Sequence, residues 1–122
     1  MLSLGPGDIA LLAALAGGTA WFLIARRNAG SRLSHPALRD LHRSGALVLD
    51  VRSPAEFRQG HIQGSRNVPL DQLGSRLADI PANRIILTVC ASGVRSGMAR
   101  RRLLKAGFRD VHNAGPWQTL KG

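Results

Sequence analysis

The sequence predicts an α/β domain with a small, mainly parallel sheet flanked by helices, preceded by one N-terminal transmembrane helix. Three observations carry that prediction. Short apolar runs suited to buried strands alternate with helix-start and helix-stop signals from about residue 35 onward. The strongest run, Arg84-Ile85-Ile86-Leu87-Thr88-Val89, leads straight into a loop of small residues and then a helix. Finally, Ile9–Ala25 is seventeen residues with no charge and only Thr19 polar.

Length and composition bound the reading before any element is placed. A chain of 122 residues holds one small domain and perhaps one appended segment, not a two-domain enzyme. A single cysteine excludes an intramolecular disulfide, a CxxC redox pair and any multi-cysteine metal or iron–sulfur site. So thiol-poor a chain fits a reducing compartment. The formal charge of +10 favours anionic partners, whether small oxyanions, acidic lipid or nucleic acid.

The N-terminal part divides into a flank (residues 1–8), the transmembrane helix (9–25) and a basic linker (26–34). As a helix, Ile9–Ala25 spans about 25 Å against a hydrocarbon core of roughly 30 Å, which places it at the short end of the spanning range. Gly5-Pro6-Gly7 breaks any earlier helix, Asp8 can cap the new one, and Trp21 sits where interfacial aromatics belong. Three alternatives fit less well. A secretory signal peptide wants a basic start and a small-residue cleavage site. An interfacial helix needs a polar face, and a buried soluble helix needs more chain to wrap it. Arg26, Arg27, Arg32, Arg39 and Arg43 all follow the span and no Lys or Arg precedes it, so the positive-inside rule puts the N-terminus outside and the domain in the cytoplasm, held at the cell membrane by a single pass.

Within residues 35–122, Ser34 caps and Pro36 opens a helix through about Arg43. Ala46–Val51 reads as a buried strand. Ser53-Pro54-Ala55-Glu56 is a capping box that starts a brief helix to about Gln59. Asn67-Val68 is a short strand, and Asp71–Asp79 is expected to be a helix with Leu73, Leu77 and Ile80 inward. Arg84–Val89 is the strongest strand, Ser96–Ala106 a helix closed by Gly107, and Asp110–His112 a last strand.

The chemistry is expected at the exit of the strongest strand, in Cys90-Ala91-Ser92-Gly93-Val94-Arg95-Ser96. In a parallel sheet, ligands sit at the carboxyl ends of strands, where helix N-termini point. Small residues let successive backbone N–H groups turn inward and form an anion-binding nest, backed by the helix dipole and Arg95. The same field favours thiolate over thiol and makes Cys90 a candidate nucleophile. The competing reading is that a lone cysteine is an inert core residue.

The residues around this loop resemble the rhodanese-like domain family. The resemblance rests on Val48-Leu49-Asp50-Val51-Arg52, on Glu56-Phe57, on Gly60-His61-Ile62-Gln63-Gly64-Ser65-Arg66-Asn67-Val68-Pro69-Leu70, on the Cys90–Ser96 loop, on Gly107-Phe108, and on Gly115 with Trp117, in that order. Ala114-Gly115-Pro116 departs from the double glycine usual before that tryptophan. The resemblance implies that Cys90 accepts a sulfane sulfur and carries it as a persulfide. Ala91, Ser92, Gly93, Val94 and Arg95 then form the substrate-binding cradle, with Asp50, Arg52 and Ser96 supporting the loop. Cys90 and Arg95 enclose four residues, the shorter loop associated with sulfurtransferases; related phosphatases enclose one more.

Other side chains carry competing readings. Asp50 is either a general base or a carboxylate receiving loop N–H groups. Arg52 either touches substrate or pairs with a carboxylate such as Glu56. His61 reads as structural, and His35, His42 and His112 lack metal spacing, so no metal and no cofactor is expected. Arg100-Arg101-Arg102 with Lys105 makes a basic helix face, better suited to anionic lipid than to nucleic acid because the domain's few aromatics read as core. The function expected is a rhodanese-type sulfurtransferase or persulfide carrier. Its partners are a small sulfur donor, such as thiosulfate, and an external thiol or cyanide as acceptor. The alternatives are a catalytically idle, membrane-tethered interaction module and, less favoured by loop length, a small phosphatase or arsenate reductase.

Overall fold

A computed structural model describes residues 32–122. The expected span Ile9–Ala25 and residues 26–31 of the basic linker lie outside the described residues. No helix among those described is long and apolar enough to cross a membrane.

Helix α1 (His35–Arg43) starts where Ser34 Oγ accepts from the Ala37 N–H at 3.3 Å, and it buries Leu38. Strand β1 (Leu47–Asp50) follows, then α2 (Pro54–Gln59), β2 (Arg66–Asn67), β3 (Ile86–Cys90), α3 (Val94–Lys105) and β4 (Val111–Pro116). The sheet has the order β2-β1-β3-β4, and every pairing is parallel. Each residue of the two central strands is buried. This is why the sequence shows them as continuous apolar runs rather than alternating ones: a parallel sheet is covered on both faces. One layer joins Leu47, Leu49, Ile86 and Val111 to Ala99 and Leu103 of α3. The other joins Val48, Leu87, Val89 and Ala114 to Leu38 of α1 and to Leu120.

Several elements differ from the sequence expectation. Asp71–Asp79 is not an α-helix but two 3-10 turns, Leu70–Ser75 and Leu77–Asp79, broken at Arg76. Gly74 weakens helix propagation, and Ser75 Oγ donates to Gln72 O at 3.0 Å, an alternative to the helical ladder. Leu73 and Ile80 nevertheless point into the core as expected. The helix expected from Ser96 begins two residues earlier, at Val94, so Val94 and Arg95 belong to its first turn rather than to a loop. At its other end Phe108 N–H bonds Leu103 O and Gly107 N–H bonds Leu104 O, which makes the C-terminal cap the glycine signals. Strand β4 runs to Pro116, past the expected His112, with an irregularity opposite Thr88 and Val89. A four-residue 3-10 turn, Trp117–Leu120, packs beside α1.

The end of β1 carries a buried ion pair. Asp50 is fully buried, and its carboxylate receives the Arg52 backbone N–H at 3.0 Å, Nε at 3.0 Å and Nη2 at 2.8 Å. The guanidinium continues outward: Nη1 donates to Glu56 O at 3.3 Å, Nη2 to Gly60 O at 2.6 Å, and Cζ lies 4.9 Å from the Trp117 ring centroid. Asn67 Nδ2 donates to the backbone carbonyls of both Asp50 and Arg52. Asp50 and Arg52 therefore satisfy each other, and no buried side-chain nitrogen or oxygen is orphaned among the described residues. Removing one charge strands the other in a low-dielectric site, which costs about 3–5 kcal/mol. Asp50→Ala is expected to lose about that much stability in urea unfolding; a loss below about 1 kcal/mol, the level of an exposed pair, would contradict this role.

Candidate active site around Cys90

Strand β3 ends on Cys90, and the chain must turn at once to start α3. Gly93 makes the turn at φ +99°, in the left-handed region that a side chain resists. The turn points the Gly93 N–H at Cys90 Sγ, 2.9 Å away. Ser96, one turn into the helix and fully buried, places its Oγ 3.3 Å from the same sulfur. Of the expected cradle, Ala91, Ser92 and Val94 are exposed, and Val94 is the only exposed large hydrophobic side chain among the described residues.

Two opposing effects act on the thiol. Burial pushes its pKa up; against that, the Ser96 hydroxyl and the backbone N–H groups of Ser96, Gly93 and Ser92 favour the anion. The hydrogen bonds together win, and the pKa falls below the ordinary cysteine value. An inert core cysteine would feel burial alone. Cys90 does touch the core layer beneath α3, yet its sulfur faces N–H donors.

Arg95 is spoken for. Its Nη1 and Nη2 meet Glu56 Oε1 and Oε2 at 2.7 and 2.9 Å, in a bidentate pair across the rim. Hydrogen bonding to Arg95, helped by the Ser53 backbone N–H of the capping box, holds the Glu56 pKa down at about 2. The pair stays intact throughout the neutral range, although both side chains are about one-third exposed and its net worth is correspondingly small. The structure thus corrects one pairing: Glu56 meets Arg95 with its carboxylate, and Arg52 with only its backbone carbonyl. Asp50 and Arg52 reach the loop indirectly, through α2. His61 is engaged elsewhere, stacked on Phe57 at 3.7 Å with Nδ1 2.7 Å from Phe57 O.

Two residues at the site escape sequence reasoning. Thr88 Oγ1 donates to Ser96 O at 2.9 Å, fastening the first turn of α3 to β3. Asn113 of β4 accepts the Ser96 hydroxyl on Oδ1 at 2.7 Å and donates from Nδ2 to Gly93 O at 3.1 Å. The available signal was Asn113 itself, a residue strands disfavour, standing between Val111 and Ala114.

A buried sulfur with a lowered pKa at the end of a parallel strand, faced by backbone amides, is an arrangement suited to cysteine-based group transfer or anion binding. The comparisons narrow that class: residues 34–114 match the rhodanese-like domain model, and the chain belongs to that family. It is 38% identical over 69 residues to the thiosulfate sulfurtransferase PspE of Escherichia coli, covering 55% of this chain and 66% of the relative. It is 32% identical over 82 residues to the thiosulfate sulfurtransferase GlpE of Pseudomonas aeruginosa, covering 67% and 74%. A solved structure described as a rhodanese with anions from E. coli superposes with TM-score 0.59 at 32% identity, over 63% of this chain and 93% of that one. The chain spans 54% of the length of another relative, from Bacillus subtilis.

The sign of the Cys90 shift gives a direct test. With the folded pKa depressed, the thiolate persists below the usual cysteine value of about 8.5 and is lost only as pH falls through the lowered one. The rate of iodoacetamide alkylation against pH is expected to show a midpoint below that of a free thiol. Ser96→Ala, which deletes one donor, should move it upward; a wild-type midpoint above that of a free thiol would mean that burial wins.

Proposed function

We propose that this protein is a rhodanese-type sulfurtransferase or persulfide carrier with Cys90 as the sulfur-bearing residue. The observation that carries the proposal is the Cys90 sulfur at the end of β3 with the Gly93 N–H aimed at it from 2.9 Å. Relatives named as thiosulfate sulfurtransferases support the reaction class and imply a sulfur donor and a sulfur acceptor.

In the proposed cycle the Cys90 thiolate attacks the outer sulfur of thiosulfate. The sulfur–sulfur bond of the donor breaks, its electron pair leaves with sulfite, and a cysteine persulfide anion remains. An external thiolate or cyanide then attacks the terminal sulfur, and the Cys90 thiolate departs as leaving group. The amides of Ser92, Gly93 and Ser96 support the anion on either side of the transfer. The single cysteine of the sequence supports an external acceptor as well.

The four-residue gap between Cys90 and Arg95 favours sulfane sulfur over a phosphoryl group. Cys90→Ser is expected to abolish thiosulfate:cyanide transfer while aryl-phosphate hydrolysis stays absent in the wild type. Transfer surviving in the serine variant, or robust phosphatase activity in the unaltered chain, would overturn the assignment.

We further propose that Ile9–Ala25 anchors the protein in the cell membrane with Cys90 on the cytoplasmic side. The uncharged run and the arginines that follow it support this. An arginine at mid-span costs about 2.5–3.5 kcal/mol on insertion scales, so Leu15→Arg should release the chain from the membrane fraction. Labelling of Cys90 on intact cells by a membrane-impermeant thiol reagent would put the domain on the opposite side.

A further inference from the structure

The Ser96 hydroxyl has one hydrogen and two claimants. Asn113 Oδ1 is 2.7 Å from Oγ, and Cys90 Sγ is 3.3 Å away. The carboxamide orientation is fixed by its other contacts, because Oδ1 also receives the Gly115 N–H at 2.9 Å and Nδ2 donates to Gly93 O at 3.1 Å. Two features of the chain put the carboxamide there. The register shift in the β3–β4 pairing, with Thr88 opposite Asn113 and Val89 opposite Gly115, sets Ala114 aside and leaves Asn113 beneath α3. On the helix, Gly97 leaves the space: a Cβ there would sit 3.2 Å from Asn113 Nδ2.

We infer that Asn113 is a positioning residue that competes with the Cys90 sulfur for the Ser96 hydroxyl hydrogen and so sets how readily the thiol gives up its proton, an inference that rests on the sulfur-carrier reading of the same site. While the sulfur is protonated, its S–H donates to Ser96 Oγ and the hydroxyl donates onward to Asn113 Oδ1. When the proton leaves to solvent, the hydroxyl turns to the thiolate. Asn113 Oδ1 then keeps the Gly115 N–H as its donor, so the carboxamide is not orphaned. Each turn of the hydroxyl toward sulfur therefore gives up the Asn113 bond, and Asn113 holds the thiol form in place. Arg95 stays charged in its pair with Glu56, whose pKa lies near 2. Of the other charged groups nearby, Asp50 pairs with Arg52, and His112 of β4 faces Asp110 at 2.7 Å.

The competition has an opposite sign from a purely structural role. If Asn113 only propped the loop through Gly93, its loss would loosen the amide donors and raise the alkylation midpoint. If it competes for the hydrogen, Asn113→Ala frees the hydroxyl for sulfur and lowers the midpoint, by about half to one pH unit, the worth of one net hydrogen bond. The experiment is the pH dependence of Cys90 alkylation in the full chain for wild type, Asn113→Ala, Ser96→Ala and the double variant, read as a mutant cycle. The expected result is a downward shift in Asn113→Ala that vanishes in the Ser96→Ala background. An unchanged or raised midpoint, or the same shift without Ser96, overturns the inference. Asn113→Thr, which suits a strand but is too short to reach Ser96, replaces the alanine variant if that folds poorly. Because alkylation reads the thiol and not sulfur transfer, failure of the sulfurtransferase reading would show separately, as absent transfer in the wild type.

Discussion

The mouth of this domain is organised by a charge pair that water does not reach. Asp50 and Arg52 stand at the carboxyl end of β1, where loops rather than regular elements cover the sheet. Desolvating two charges is costly, and the geometry offsets it: the carboxylate takes bonds from a backbone amide and from two nitrogens on one edge of the guanidinium. The remaining guanidinium donors go to carbonyls at Glu56 and Gly60, at either end of α2. One ion pair thus sets where a six-residue helix lies, and a helix so short could not hold that position by its own hydrogen bonds.

From α2 the constraint passes to the Cys90 loop. Glu56 serves its own helix through the capping box and serves α3 through Arg95, so the two helices that flank the rim are joined by one carboxylate. The site below is nearly self-contained. Its anion-stabilising groups are the Ser96 hydroxyl and the backbone amides of the Gly93 turn, and amides held in place in this way need little rearrangement when charge appears on sulfur. Burial makes the same dipoles effective, because no solvent competes with them, even as it opposes ionisation of the thiol.

What could be read from the sequence follows the range of the interactions. The central strands, the capping box at Ser53, the cap at Gly107 and the cysteine at a strand exit are written in neighbouring residues, and each is found in the structure. The 3-10 turns after Leu70 were misread because leucine spacing marks which side chains face inward but not how tightly the backbone winds. Contacts between distant positions had no local signature: Glu56 with Arg95 and Ser96 with Asn113 are set by packing α2, α3 and β4 together. For Arg52 the carboxylate expected was Glu56, and burial of the Asp50 side chain, invisible in the sequence, makes Asp50 its partner instead.

The central claim is that Cys90 carries sulfur. The most direct measurement is the intact mass of the full chain after incubation with thiosulfate and removal of excess reagent. The expected result is a gain of one sulfur atom, reversed by cyanide and confined to a peptide containing Cys90. A mass that stays unchanged although the thiol alkylates readily would contradict it, leaving a domain with a reactive cysteine that does not take up sulfane sulfur.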